Sequence, residues 1–181
     1  CGLRCTGAQM KAHLEDCADR PVECPACTEF VAPSRFLAHC RCRESHQLRS
    51  ITRTPRSEAW CGELVPWKIG DHLKYQSISN ILHLEDVDDL VIIRLWFSKD
   101  EWATVDAYHA RTARLCKFAC GRIPGRRVSF EVITRPLYQR KEGYFSKEAS
   151  TQGVVFPVGY ADTLADGNEV FCSVELIDCS F

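Results

Sequence analysis

The sequence lacks both a long apolar run and an excess of charge of either sign. Of its 181 residues, 23 are Lys or Arg and 24 are Asp or Glu, which gives a formal net charge of −1. Nucleic-acid-binding proteins usually carry a clear basic excess, so this balance disfavours that class. No window approaches the roughly 20 continuous apolar residues that a transmembrane helix needs. We therefore expect neither a nucleic-acid partner nor a membrane.

Cysteine, in contrast, is present in unusual number. The chain has twelve, and seven of them fall within the first 42 residues, interleaved with two histidines. The cysteines are Cys1, Cys5, Cys17, Cys24, Cys27, Cys40 and Cys42, and the histidines are His13 and His39. A disulfide framework does not require histidine at regular positions, whereas zinc sites often do. The pattern favours zinc over disulfides, which implies a reducing compartment: the cytoplasm, with the nucleus as a second possibility.

The N-terminal segment divides into two similar halves, each with a cysteine pair, a spacer and a short helical stretch that carries a histidine. The ligands predicted for the first half are Cys1, Cys5, His13 and Cys17. Residues four positions apart share one face of a helix, so the last two of these converge. Four protein ligands complete the tetrahedral coordination of Zn²⁺ and leave no open position, which is typical of a structural site. We therefore predict two structural Zn²⁺ ions, one for each half.

The second half supplies Cys24, Cys27 and His39, and three residues compete to be its fourth ligand. Cys42 is preferred, because it lies three residues after the histidine and this spacing is adequate on a helix. Cys40 ranks last, because adjacent helical residues point about 100° apart. His46 is the remaining alternative and requires the helix to end before it.

The chain is expected to have two parts, tandem zinc fingers at residues 1–46 and a β-domain at residues 47–181. The finger segment is short and largely polar, so it needs metal to fold. The two parts are expected to have separate cores. The arginine-rich stretch 41–56 that joins them is interpreted as a solvated linker.

Beyond about residue 63 the sequence becomes typical of β-structure. Runs rich in β-branched and aromatic residues predict strands at 91–97, 128–134, 154–156 and 170–177. Short strands at this spacing, with little helix between them, indicate an antiparallel sandwich. The five remaining cysteines are interpreted as packing residues: Cys61, Cys116, Cys120, Cys172 and Cys179. The histidines of this part are scattered, and no catalytic residue is predicted.

Three segments of the chain resemble the seven-in-absentia family, and the fingers more loosely resemble those of the TRAF type. The first is residues 17–25, CADRPVECP, together with the ligand spacings on either side. The second is FAC at 118–120, followed by GRRVSFE at 125–131 and RP at 135–136. The third runs from LADGNEV at 164–170 to Cys179. The resemblance covers most of the chain.

The resemblance implies a mainly β fold, with two small zinc fingers followed by an antiparallel TRAF-like β-sandwich through which the protein forms a homodimer. It also implies capture of protein substrates through short extended degron peptides. In the family, a RING domain before the fingers recruits the ubiquitin-conjugating enzyme. Because Cys1 is itself a predicted ligand, we expect this chain to be a fragment with the RING upstream.

The expected function is the substrate-recognition and dimerisation region of a RING-type ubiquitin-protein ligase. The full-length protein would then transfer ubiquitin to bound substrates and send them to the proteasome, while the fragment itself is not catalytic. The alternative is a non-catalytic TRAF-like zinc-finger adaptor.

Overall fold

The computed structural model describes most of the chain beyond residue 19, and fewer residues before it. The described residues are 6–7, 9–10, 13, 17, 19–24, 26–27, 29–43, 46–53, 58–68, 77–97, 102–121, 127–137, 154–157 and 163–179. At 77–78, 96–97, 102–104 and 154–157 the description covers the backbone alone. Within these ranges the protein is mainly β, as the sequence predicts. No helix in the described part is long and apolar enough to cross a membrane.

The named elements are a helix and a series of strands. The helix, α1, is Pro33–Arg41. The strands are β1 (Val22–Glu23), β2 (Phe30–Val31), β3 (Arg49–Ile51), β4 (Trp60–Glu63), β5 (Trp67–Lys68), β6 (Ser77–Leu84), β7 (Asp89–Phe97), β8 (Trp102–His109), β9 (Arg114–Cys120), β10 (Val128–Ile133), β11 (Arg135–Pro136), β12 (Val154–Pro157), β13 (Glu169–Val170) and β14 (Cys172–Asp178). The predicted strands at 91–97, 128–134 and 154–156 correspond to β7, β10 and β12, and the predicted strand at 170–177 is divided between β13 and β14.

Two sheets pack face to face. One is six-stranded, in the order β11-β8-β7-β6-β3, with β12 also paired to β8. The other is four-stranded, in the order β10-β9-β14-β4. Pairing is antiparallel except for β3 with β6 and β11 with β8. Because alternate residues of a strand face opposite sides, each sheet sends one row of side chains inward. These rows form a single core, with Leu82, Ile93, Phe118 and Val174 among its members.

The other face of the six-stranded sheet is also apolar, and the second finger covers it. We call Ile81, Leu90, Ile92 and Tyr108 of β6, β7 and β8 the covered face. They share a cluster with residues of the finger: Val22, Cys24, Phe36, Leu37 and Cys40. The expectation of separate cores is therefore wrong for the second finger. The physical reason is that β7 is apolar at consecutive positions, so it needs packing partners on both sides of the sheet.

The helix of the second finger is built to lie on this sheet. Pro33 occupies its first turn, where a missing N–H costs nothing and the fixed φ is already helical. Its buried residues Pro33, Phe36, Leu37 and Cys40 follow the spacing of one helical face. At its end, Arg41 Nη2 lies 2.7 Å from Asp88 Oδ1 and 2.7 Å from His83 Nε2. The hydrogen bond from Arg41 lowers the pKa of the Asp88 carboxyl.

The arginine-rich stretch is part of the fold, which corrects its interpretation as a solvated linker. Residues 49–51 form β3 and pair with β6. Arg49 donates to the Glu63 carbonyl oxygen at 2.8 Å, and Arg53 Nη2 donates to Asp178 Oδ2 at 2.7 Å. Arg43 is also engaged, because its guanidinium bonds Glu29. These arginine side chains therefore donate hydrogen bonds to oxygen atoms of the same chain. Residues 54–57 lie outside the described part.

Two of the cysteines interpreted as packing residues form a disulfide bond instead. Cys120 of β9 and Cys172 of β14 are direct partners in the register, 4.2 Å apart at Cα, and form a disulfide. The interpretation was wrong for this pair, because residues separated by 52 positions meet only once the strands are in register. The interpretation as a packing residue does fit Cys116, since that thiol is fully buried and burial raises its pKa. A disulfide is at odds with a uniformly reducing environment, so the location of the protein stays a prediction.

A buried ion pair joins the two sheets at one end of the sandwich. Arg114 and Asp89 are 2% and 1% exposed, and Nη1 of the arginine lies 2.6 Å from Oδ2 of the aspartate. The carboxylate also accepts backbone N–H groups from Arg111 and Thr112, each at 3.1 Å. Above the guanidinium lies the fully buried Trp60, with its ring centre 5.0 Å away. Every oxygen of the carboxylate therefore has a donor, as a buried charge requires.

Candidate metal centre

Four side chains of the second finger converge on one point. The ligand atoms of Cys24, Cys27, His39 and His46 all lie within 4.8 Å of one another. Cys24 follows β1 directly, and its backbone N–H bonds the Glu29 carbonyl oxygen at 2.8 Å, which closes the β1–β2 hairpin around the cysteine pair. The two cysteines thus come from the connection between β1 and β2, His39 from α1, and His46 from beyond the end of α1.

Both histidines present the same nitrogen to this point. His39 Nε2 lies 3.3 Å from the Cys27 sulfur, while its Nδ1 faces Glu29 at 3.7 Å. His46 Nδ1 lies 3.3 Å from the Arg43 carbonyl oxygen. In each ring an oxygen lies on the Nδ1 side and leaves Nε2 to face the other ligands. Metal-bound histidines commonly have an oxygen partner on the nitrogen that does not bind the metal.

His46 carries the clearest sign of a missing partner. Its ring is 3% exposed, and Nε2 is buried with no hydrogen-bond partner. An unpaired buried polar atom costs free energy, so it normally has a ligand or water beside it. Its ring meets that of His39 edge-on, with centroids 4.8 Å apart. The residues present therefore fit a metal ion, and the orphaned nitrogen marks the position where it would bind.

The two cysteine ligands differ: burial raises the pKa of the Cys27 thiol, whereas Cys24 is prepared for metal binding. The hydrogen bond from the buried Cys40 thiol lowers the pKa of Cys24 to about 4, and backbone N–H groups act in the same direction. Cys40 is the donor in this pair, so its own pKa rises. A thiolate is the form of cysteine that binds metal. Two thiolates and two imidazoles suit Zn²⁺ in a tetrahedral site, and four such ligands leave no position for a reacting water.

The structure replaces the preferred fourth ligand, Cys42, with the alternative His46. Cys42 is exposed and lies outside the converging group. It caps the end of α1, where its N–H bonds the Ala38 carbonyl oxygen at 3.1 Å. His46 lies in the converging group instead, and its N–H bonds the Arg43 carbonyl oxygen at 3.1 Å. Helical spacing favoured Cys42 only on the assumption that the helix continued through it.

The first predicted site is described only in part. His13 has helical backbone and is half-buried, and Cys17 is 6% exposed. Cys1 and Cys5 lie outside the described residues. The first Zn²⁺ and its four ligands therefore stay a prediction.

A second candidate site lies on the outward face of the four-stranded sheet. This depression has a volume of about 840 Å³ and is open to solvent. The register places two rows of side chains across it. One row is mostly charged (Glu131, Lys117, Glu175, with Cys61) and the other mostly small (Ser129, Ala119, Ser173, with Glu63). Sequence reasoning missed this face, because its rows are set by register between strands far apart in the chain.

Comparison with protein-family models and with curated proteins gives no match for this chain. The metal centre and the depression are therefore the observations from which its function is argued. Of the two, the metal centre has the more specific chemistry, because its ligand types, spacing and orientation all point to one class of ion.

The choice between His46 and Cys42 can be tested by metal content. We expect the His46→Ala variant to lose one equivalent of zinc relative to the wild type, because it removes a buried ligand. The Cys42→Ser variant should retain all of it, since that thiol is exposed. Inductively coupled plasma mass spectrometry of the purified, gel-filtered proteins gives the stoichiometry. Loss of zinc from Cys42→Ser with retention in His46→Ala would restore the ligand set expected from helical spacing.

Proposed function

We propose that this chain is the substrate-recognition and dimerisation region of a RING-type ubiquitin-protein ligase related to the seven-in-absentia family. It holds target proteins through short extended peptides, and its metal ions are structural Zn²⁺. The ubiquitin-conjugating enzyme is recruited by a RING domain upstream of the fingers.

One observation carries this proposal: a Cys/His finger and a β-sandwich form one packed unit. The segment at 17–25 that resembles the family leads into β1 and provides Cys24. The described part of the second segment lies in β9, β10 and β11, and the third contains β13 and leads into β14. The first resembling segment thus belongs to the docked finger and the other two belong to the sandwich. A finger docked on a sandwich is the arrangement that a rigid protein-binding module needs.

The edge of the four-stranded sheet offers a place for an extended peptide. Among the described residues, β10 pairs only with β9. The Thr134 N–H donates to the Arg114 carbonyl oxygen at 2.8 Å, so even-numbered residues of β10 direct their backbone groups toward β9. The N–H groups of Ser129, Glu131 and Ile133 therefore point away from the sheet. A peptide that pairs with them would form a fifth strand beside the depression.

Proline at position 131 tests this edge directly. We expect the Glu131→Pro variant to lose peptide binding, because proline removes an outward N–H while the bonds to β9 stay intact. The probe is a set of linear peptides selected by phage display on the wild-type chain, with affinities measured by isothermal calorimetry. We expect micromolar dissociation constants, about −8 kcal/mol, and only mild salt dependence because the net charge is near zero.

Glu131→Ala is the matched control. It also removes the ion pair with Lys117, whose Nζ lies 3.9 Å from Glu131 Oε1, but it keeps the backbone donor. It should bind the selected peptides as the wild type does. Equal binding by the proline variant would mean that partners do not add a strand at β10. In the full-length protein, partners that bind but are never ubiquitinated would favour the TRAF-like adaptor.

A further inference from the structure

The second finger lies on an apolar surface that the sandwich cannot cover by itself. The covered face is 3% exposed at most, and Leu90 is fully buried. On the same strands, Leu82, Val91 and Ile93 point the other way into the sandwich core. The covered face is therefore an outer surface of the sheet, and among the described residues the finger cluster, Leu137 and the partly buried Leu48 and Ala110 pack in the same cluster.

The finger that covers this face includes the metal centre itself. Cys24 is fully buried within the shared cluster, and Cys40, which bonds its thiol, is 1% exposed in the same cluster. His39 lies on α1 between Phe36 and Cys40, so one helix supplies both a metal ligand and packing against the sheet. A polar segment of this size lacks the apolar area to hold its fold without the metal. The metal ligands and the residues that pack on the covered face thus belong to the same small finger.

We propose that metal at Cys24, Cys27, His39 and His46 controls whether the covered face is hidden or open to solvent. With metal bound, α1 stays folded and packs on Ile81, Leu90, Ile92 and Tyr108. Without metal, the four ligands separate, the helix loses its anchor and the finger leaves the sheet, while the sandwich keeps its inner core. The protein thereby converts metal occupancy into exposure of an apolar surface, because metal-binding free energy is also folding free energy of the finger.

Isoleucine methyl groups on opposite faces of one sheet provide the test. Ile81 and Ile92 lie on the covered face, and Ile93, next in sequence, lies in the inner core and is the internal control. In methyl-labelled protein, relaxation by a neutral soluble gadolinium chelate reports the exposure of each methyl group. Addition of a zinc chelator should raise the relaxation of Ile81 and Ile92 severalfold and leave Ile93 unchanged. Excess Zn²⁺ should restore the first spectrum.

A variant separates this site from the predicted first site, which a chelator also strips. His46→Ala should show the exposed Ile81 and Ile92 signals without any chelator, and Cys42→Ser should match the wild type. If the metal is removed and these signals stay protected, the finger docks without metal and the proposal is overturned. An equal rise at Ile93 also overturns it, because the whole sandwich has then opened.

Discussion

The Asp89→Ala variant is expected to lose about 3–5 kcal/mol of unfolding free energy, the amount typical of breaking a buried ion pair from one side. The carboxylate of Asp89 is the buried partner of Arg114, 2.6 Å away, and it holds the backbone N–H groups of Arg111 and Thr112 as well. Its removal leaves a guanidinium that is 2% exposed without its main counter-charge. Urea denaturation followed by circular dichroism measures the change.

The double variant Asp89→Ala/Arg114→Met shows whether the loss of unfolding free energy in Asp89→Ala comes from leaving the Arg114 charge uncompensated. Replacing both members of a buried pair with apolar residues is often close to neutral, so the double variant should recover much of the stability that the single variant loses. The two substitutions are in contact and are not expected to add. A double variant as unstable as the sum of the two singles would contradict the charge argument and point to lost packing against Trp60.

The disulfide between Cys120 and Cys172 is expected to contribute about 4 kcal/mol, because it closes a long loop in the unfolded chain. The two residues are separated by 52 positions, and the loop between them contains β10 to β13. Unfolding in urea with a phosphine reductant should therefore occur at a markedly lower denaturant concentration than unfolding without it. The reductant acts once the bond is exposed, because both cysteines are buried in the fold.

The Cys120→Ala/Cys172→Ala variant is the control for other effects of the reductant. It should unfold at the same urea concentration with and without reductant, since no disulfide is left to cleave. Cys61→Ser, which removes an exposed thiol on β4, should behave as the wild type in both conditions. A reductant effect that persists in the double variant would place the responsible thiols elsewhere.

The sequence predicted the fold class and the central strands well, because local patterns determine them. The run at 91–97 is β-branched and aromatic, and it forms β7. The pairing of Cys24 and Cys27 with a histidine twelve positions further on was also recognisable, because ligand types and spacing are set within one short segment. Each of these features depends on residues close together in the chain.

The features that sequence reasoning missed depend on contacts between distant segments. His46 enters the metal centre because α1 ends at Arg41, and no glycine or proline marks that end in the sequence. The disulfide depends on the register of β9 against β14. The docking of α1 depends on an apolar surface that β6, β7 and β8 form together. The sequence shows these residues as hydrophobic, but it does not show that they share one face of the sheet.

The two-sided burial of β7 also limits how this protein can change over time. Leu90, Val91, Ile92 and Ile93 are each at most 1% exposed, so no position along this stretch faces water. A sheet with one solvent-exposed face tolerates polar substitutions at every second residue of a strand. Here, a polar side chain at any of these four positions would lie in one of the two apolar cores. Lineages of this protein should therefore keep the middle of β7 aliphatic.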